Sequence, residues 1–128
     1  MILVDTSIWI DLLGKNKLYQ LAPEQLLSVA ICPPIIQEIL QGIRMEKDYT
    51  IIKEGLLALP RFGDPIQLKF HLHAADIYRT GRRKGMTIRS STDCLIAAIA
   101  IEYQIPIWHN DRDFSSIAKF TGLQVHHQ

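Results

Sequence analysis

Four acids stand where carboxylate chemistry can gather: Asp5, Glu38, Asp93 and Asp111. Asp5 directly follows the apolar run Ile2-Leu3-Val4, and Asp111 follows shortly after Ile105-Pro106-Ile107-Trp108. In open parallel sheets ligands collect in the crevice beyond the carboxyl ends of the strands, so both acids are expected to face it. Asp93 precedes Cys94–Ile101, eight successive apolar residues that read as a helix covered nearly all round. The unpaired N–H groups of that helix's first turn favour a negative charge. On a helical wheel Ile35, Ile36, Ile39, Leu40 and Ile43 span an arc of about 140°, and Glu38 lies about 60° beyond its edge. Glu38 thus borders the core, and Gly42 one turn later either leaves space beside it for a metal or ligand or marks the helix exit.

Carboxylates brought together without a cation repel one another, and a divalent ion resolves that conflict. With no nearby His or Cys ligand pattern, Mg²⁺ or Mn²⁺ suits this oxygen set better than Zn²⁺. Such an ion would activate water and neutralise charge on a phosphodiester. Each acid also has an ordinary explanation: Asp5 as a helix-capping turn residue, Asp93 as an N-cap, Asp111 as a turn residue, Glu38 as a solvated flank. Their joint placement argues for a site, but spacing alone does not separate a nuclease from another Mg²⁺ enzyme.

The elements that must position these acids follow from the apolar pattern. Met1–Val4, Val29–Ile31, Ile105–Trp108 and Leu123–His126 read as short strands. Helices are expected from Thr6 or Ser7 to Gly14, over Lys17–Leu27 with Pro23 delaying or bending it, and from Pro33 to Gly42 or Ile43. Others are expected over Glu46–Ala58, Ile66–Arg83, from the turn holding Asp93 to Ile101, and over Phe114–Phe120. Met45, Tyr49, Ile52 and Leu56 form an apolar stripe on the fourth of these helices. Residues 59–65 read as a turn-rich connector with room for a short edge strand. Alternating helices and short strands imply an α/β three-layer domain with a central, mainly parallel sheet flanked by helices. A length of 128 residues suits one domain spanning 1–128, and 48% apolar with 21% charged residues is an ordinary globular balance.

With 14 Lys and Arg against 13 Asp and Glu the net charge is +1, so bulk charge recruits neither nucleic acid nor an anionic membrane. Locally, Arg79, Arg82, Arg83, Lys84 and Arg89 fall between positions 77 and 92 with no acid among them. That stripe either guides RNA phosphates toward Asp93 or forms a solvated helix end. Two cysteines, Cys32 and Cys94, suit a reducing interior, and Cys94 has no His partner to make it a nucleophile. The chain reaches Asp5 with no basic n-region or long apolar stretch, so export and membrane insertion are not expected and cytoplasm is. His71, His73, His126 and His127 read as surface histidines, and Trp9 and Trp108 as core.

Four segments carry a resemblance: Asp5-Thr6-Ser7-Ile8-Trp9-Ile10-Asp11, Glu38-Ile39-Leu40-Gln41-Gly42, Ser91-Thr92-Asp93-Cys94-Leu95-Ile96-Ala97 and His109-Asn110-Asp111-Arg112-Asp113-Phe114. In order and end to end, the chain resembles PIN-domain ribonucleases, specifically VapC-type toxins of toxin-antitoxin pairs. The resemblance implies a Mg²⁺-dependent endoribonuclease, with Mn²⁺ as a substitute, in which metal-activated water attacks an RNA phosphodiester. It implies Asp5, Glu38, Asp93 and Asp111 as the catalytic acids, with Asp5, Asp93 and Asp111 on the metal. Because such proteins vary between the first and second acid of the last motif, Asp113 shares or replaces the role of Asp111. Ser7 resembles the polar residue that accompanies the first Asp, or is a helix cap, and His109 stands where many relatives have Thr or Ser. Arg82, Arg83, Lys84 and Arg89 are the candidate RNA contacts. The implied partners are RNA, a second copy of the chain, and a cognate antitoxin. The antitoxin tail would run along the helices near Glu38, over the Met45 stripe, and reach the acids with an Arg. Three alternatives compete with this reading. A haloacid-dehalogenase-like phosphatase would want a second Asp where Ser7 stands. A receiver-type signalling domain would want adjacent acids where there is only Asp5. A non-catalytic RNA-binding module requires that the acids do not converge.

Overall fold

Three short apolar runs make the sheet. In the computed structural model, which describes residues 1–14 and 23–127, β1 (Ile2–Val4) lies between β2 (Val29–Ala30) and β3 (Ile107–Trp108), all parallel. Leu3 faces Ala30 on one side and Ile107 on the other, while Val4 pairs with Trp108. Buried on both faces, these strands carry no polar alternation, as parallel sheets under helices require. Parallel bridges extend the sheet at each edge, Ile31 to Arg61 and Ile107 to Val125. The expected last strand is thus one bridge with two bonds, Ile107 N to Gln124 O at 2.9 Å and His126 N to Ile107 O at 2.8 Å.

The helices are α1 (Thr6–Leu13), α2 (Pro23–Leu26), α3 (Pro33–Gln41), α4 (Glu46–Leu57), α5 (Leu68–Arg83), α6 (Ser91–Glu102) and α7 (Arg112–Ala118). Pro23 opens α2 instead of bending a longer helix, as a residue without an N–H can at a first turn. The rest of the helix expected over Lys17–Leu27 falls largely outside the described residues. Pro33 and Pro34 open α3, and Gly14 and Gly42 close α1 and α3 as expected. Two starts differ from expectation for the same reason. Asp5, not Thr6 or Ser7, caps α1, and Asp111 caps α7 so that the helix starts two residues before Phe114, because a carboxylate oxygen serves the second N–H of each helix.

The core centres on α6. Asp93, Cys94, Ile96, Ala97, Ala98, Ile99 and Ala100 are all buried, and α5 packs alongside through Phe70, Ile77 and Gly81. Small alanines at 97, 98 and 100 let α6 pack closely against its neighbours α5, α7 and α3 within the shared core cluster. Among the described residues no helix is long and apolar enough to cross a membrane.

Candidate active site

The sheet order β2-β1-β3 puts the ends of β1 and β3 side by side, and the acids follow from that. Asp5 leaves β1 and is 3% exposed, accepting from Ser7 N at 3.1 Å and from Ser7 Oγ at 2.6 Å, both at Oδ2. Ser7 Oγ in turn accepts from Asn110 N at 2.9 Å, across 103 positions of chain. One hydroxyl therefore ties the turn after β1 to the turn after β3. Thr6, the other neighbour, donates from Oγ1 to Glu38 Oε1 at 3.0 Å, fixing the half-buried Glu38 of α3 against the start of α1.

Asp93 sits in the first turn of α6, only 4% exposed, and its Oδ2 is buried without a hydrogen-bond partner. Its cap is Ser90, so Asp93 is not the N-cap that would have explained it away. Asp93, Asp111 and Asp113 each place a carboxylate oxygen within 4.8 Å of the others. Asp113, 3% exposed, also accepts from Arg89 N at 3.1 Å through both oxygens and from Ser90 N at 3.0 Å. Arg89 Nε lies 3.8 Å from Asp113 Oδ1. Asp113 thus anchors the loop that launches α6, whereas Asp111 is half-buried and uses Oδ1 to cap α7 through Asp113 N at 2.9 Å. The sequence left Asp111 and Asp113 as alternatives; the geometry gives them different work.

Crowding shows in the proton affinities. Burial pushes the Asp93 carboxyl up to about 9, and Asp111, Asp113 and Asp5 add to the shift. Burial also raises Asp5 against the lowering by its Ser7 bonds, and raises Glu38 against its bond from Thr6. A protein that concentrates buried carboxylates and leaves one oxygen unpartnered fits a cation there. The donors are all carboxylate oxygens, which suits a hard divalent ion.

Of the residues expected on the metal, Asp93 and Asp111 belong to the three-oxygen group; Asp5 is coupled to it by charge but stands outside, with Asp113 in its place. Arg89 reaches the cluster through Asp113, while Arg82, Arg83 and Lys84 stay exposed at the end of α5, with Arg82 over the Tyr78 ring and Arg83 bonded to Thr80. Two clefts border the acids. One of about 610 Å³, between α1, α3 and α4, includes Glu38, Gly42, Ile10, Leu13, Met45 and Ile52. The other, of about 420 Å³, includes Asp111 and His109. Gly42 therefore serves both as helix exit and as a wall beside Glu38. Of the expected apolar stripe, Met45 and Ile52 line the first cleft, but Leu56 is 3% exposed and belongs to the core. Trp9 and Trp108 are core, and the thiols of Cys32 and Cys94 are pushed up to about 12 and about 11 by burial, which leaves them inert. No described His joins a group able to hold a metal.

From the sequence Thr6 reads only as a helix-cap candidate, and Asn110 has no role. Both act through contacts 32 and 103 positions away, for which local spacing carries no signal. The acids do converge, which removes the ground for a module that merely binds RNA.

A three-layer parallel fold with four acid motifs on its carboxyl edge defines a class, and the PIN domain family model matches residues 2–120. The chain belongs to that family. Within it, the chain is 38% identical to ribonuclease VapC11 of Mycobacterium tuberculosis, covering 98% of this chain and 97% of the relative. It is 32% identical to ribonuclease VapC1 of Methanocaldococcus jannaschii, over 98% of this chain and 86% of that one. It shares its fold with a solved member of the VapBC family of toxin-antitoxin systems, VapBC-5 of M. tuberculosis, at a TM-score of 0.69 and 16% identity, covering 98% and 97% of the two chains.

Proposed function

We propose that this chain is a divalent-metal-dependent endoribonuclease, the toxin of a toxin-antitoxin pair, acting in the cytoplasm through one domain spanning residues 1–128. One observation carries this: the unpartnered, buried Asp93 Oδ2 set among further carboxylates at the carboxyl edge of the sheet. The all-oxygen donors favour Mg²⁺, with Mn²⁺ as a substitute. When bound there, the ion supplies positive charge for the scissile phosphate and acidifies the attacking water. Asp93 and Asp111 offer it their oxygens, and Asp113 holds the loop from which α6 starts. Asp5, oriented by Ser7, adds charge from the end of β1, and Glu38, held by Thr6, closes the site toward the larger cleft. Arg82, Arg83, Lys84 and Arg89 draw RNA phosphates in by charge. The test is cleavage of total RNA by purified protein with Mg²⁺, with Mn²⁺ and with chelator. Cleavage that survives chelation undiminished overturns the proposal.

The regulatory partner is an antitoxin. In support, a solved neighbour belongs to a toxin-antitoxin system. The cleft beside Glu38 also exposes apolar side chains, with Ile10 67%, Leu13 47% and Met45 58% exposed. An antitoxin helix would bury these, and an Arg from its tail would bond the acids and exclude metal or phosphate. Co-expression with the adjacent gene should relieve growth arrest, and purified proteins that neither associate nor change cleavage would remove this part. The chain should also run as a homodimer, at twice its 14.6 kDa mass in light scattering.

A further inference from the structure

The smaller cleft beside Asp111 has no part in the chemistry described so far. It is lined by His109, Asp111, Arg112, Ser115, His126 and His127, among others, and measures about 420 Å³. That lies within the range of roughly 300–1,000 Å³ usual for small-ligand sites. Its placement follows from the sheet. Val125 bridges Ile107 in parallel, so His127 follows its strand at the same register as His109 follows β3, on the same carboxyl edge as Asp5 and Asp111. Trp108 meets the His126 ring edge-on, 5.9 Å between centroids, which steadies the His126 wall of the cleft beside the end of β3.

The cleft offers the N–H donors that the acid cluster lacks. A guanidinium and three imidazoles surround a single wall acid, Asp111, which is shared with the catalytic cluster. The His109 ring is fixed: its Nδ1 accepts from Asp111 N at 3.0 Å and its face tilts on Phe114 at 5.3 Å. Arg112 and His127 are exposed. A rigid ring beside exposed N–H donors is what a nucleotide needs: a plane for the base and donors for the phosphate. A site crowded with carboxylates repels an RNA strand, and the Arg112 guanidinium flanking it offsets part of that repulsion.

We infer that this cleft takes one nucleotide of the RNA next to the scissile phosphate, with Arg112 and His127 on its phosphodiester and the His109 ring on its base. The inference rests on the ribonuclease proposal and adds to it the place where the strand is held on the Asp111 side. The test measures binding of a short fluorescein-labelled single-stranded RNA to the full chain in EDTA, then cleavage of end-labelled RNA in Mg²⁺. Arg112→Ala with His127→Ala should weaken binding about tenfold. The slope of log affinity on log salt should fall by about 0.7 for the lost Arg112 contact. Cleavage should lose its preference at the nucleotide flanking the cut, while the Mg²⁺-dependent rise in melting temperature stays that of wild type. If wild type binds and cuts RNA but the double variant matches it in affinity, salt slope and cleavage pattern, the cleft is not a nucleotide site. A double variant that keeps RNA affinity but changes from dimer to monomer assigns the cleft to a second copy and also overturns the inference. If wild type neither binds nor cuts RNA, the ribonuclease proposal fails and this subsite falls with it.

Discussion

Asp93 is the residue on which most depends, because its folded carboxyl sits at about 9 against an ordinary 3.8. The folded chain therefore keeps a proton that the unfolded chain releases. The stability this confers is fully present below about pH 4 and is lost as pH rises toward about 9. In chelator, the urea midpoint should fall across that window, and Asp93→Asn should remove much of the fall. Added Mg²⁺ should flatten it in wild type, because the ion prefers the deprotonated carboxylate. A flat wild-type profile in chelator would contradict this account of the cluster. For activity, Asp5→Asn and Asp93→Asn should each leave less than roughly one part in a thousand of wild-type cleavage. Ser7 touches Asp5 and Asn110 and not the reaction, so Ser7→Ala should cost about ten- to hundredfold in cleavage and Ser7→Thr should restore most of it.

At the scale of elements, the site depends on how closely α5 and the loop before α6 fit together. Gly81 lies in the last turns of α5, and a Cβ there would meet Met86 O at 3.0 Å, Phe120 Cζ at 3.2 Å and Ile88 Cγ1 at 3.4 Å. Met86 N also donates to Gly81 O at 2.8 Å, so the loop folds back onto a position where a Cβ would be crowded. That loop continues to Arg89 and Ser90, whose N–H groups bond Asp113. Gly81→Ala should therefore cost about 1–3 kcal/mol in urea unfolding. It should also weaken the stabilisation by Mg²⁺, because the carboxylates move with the loop. Gly55 makes the control: a Cβ there meets nothing within 4 Å, so Gly55→Ala in the exposed part of α4 should leave stability unchanged or raise it.

For the whole molecule, net charge and ligand linkage make the measurable statements. A chain of net charge +1 has no global attraction for RNA, so its salt dependence must come from local groups. Neutralising Arg82, Arg83 and Lys84 together should flatten the salt slope of RNA binding while leaving the response to Mg²⁺ intact. An unchanged slope would make them a solvated end of α5 and nothing more. Mg²⁺ binding only to the folded state should stabilise it by about 2.7 kcal/mol at a hundredfold excess over Kd. Asp93→Asn should blunt the resulting shift in melting temperature, and equal shifts in wild type and variant would place the ion elsewhere.

The four acid motifs were recognised by their resemblance to a family, while the apolar runs and their spacing were enough to read the strands, nearly every described helix and the parallel α/β layering. These are local or periodic properties: burial on both faces makes a continuous apolar run, and a helix repeats its face every few residues. Asp5, Asp93 and Asp111 were legible as a group because acids at strand ends and in a helix's first turn must face one edge of a parallel sheet. What the sequence could not say is which partner each carboxylate has. Asp111 and Asp113 are two positions apart and chemically identical, yet one faces a cleft and the other is bound by Arg89 and Ser90. Leu56 and Ile52 belong to one stripe, yet one is core and the other lines the groove beside Glu38. The hydroxyl of Ser7 reaches Asn110, and His127 comes to the register of His109, only because β3 and the Val125 bridge lie in their places in the sheet. Such pairings join residues far apart in the chain, and only packing of the whole sheet and its helices decides them.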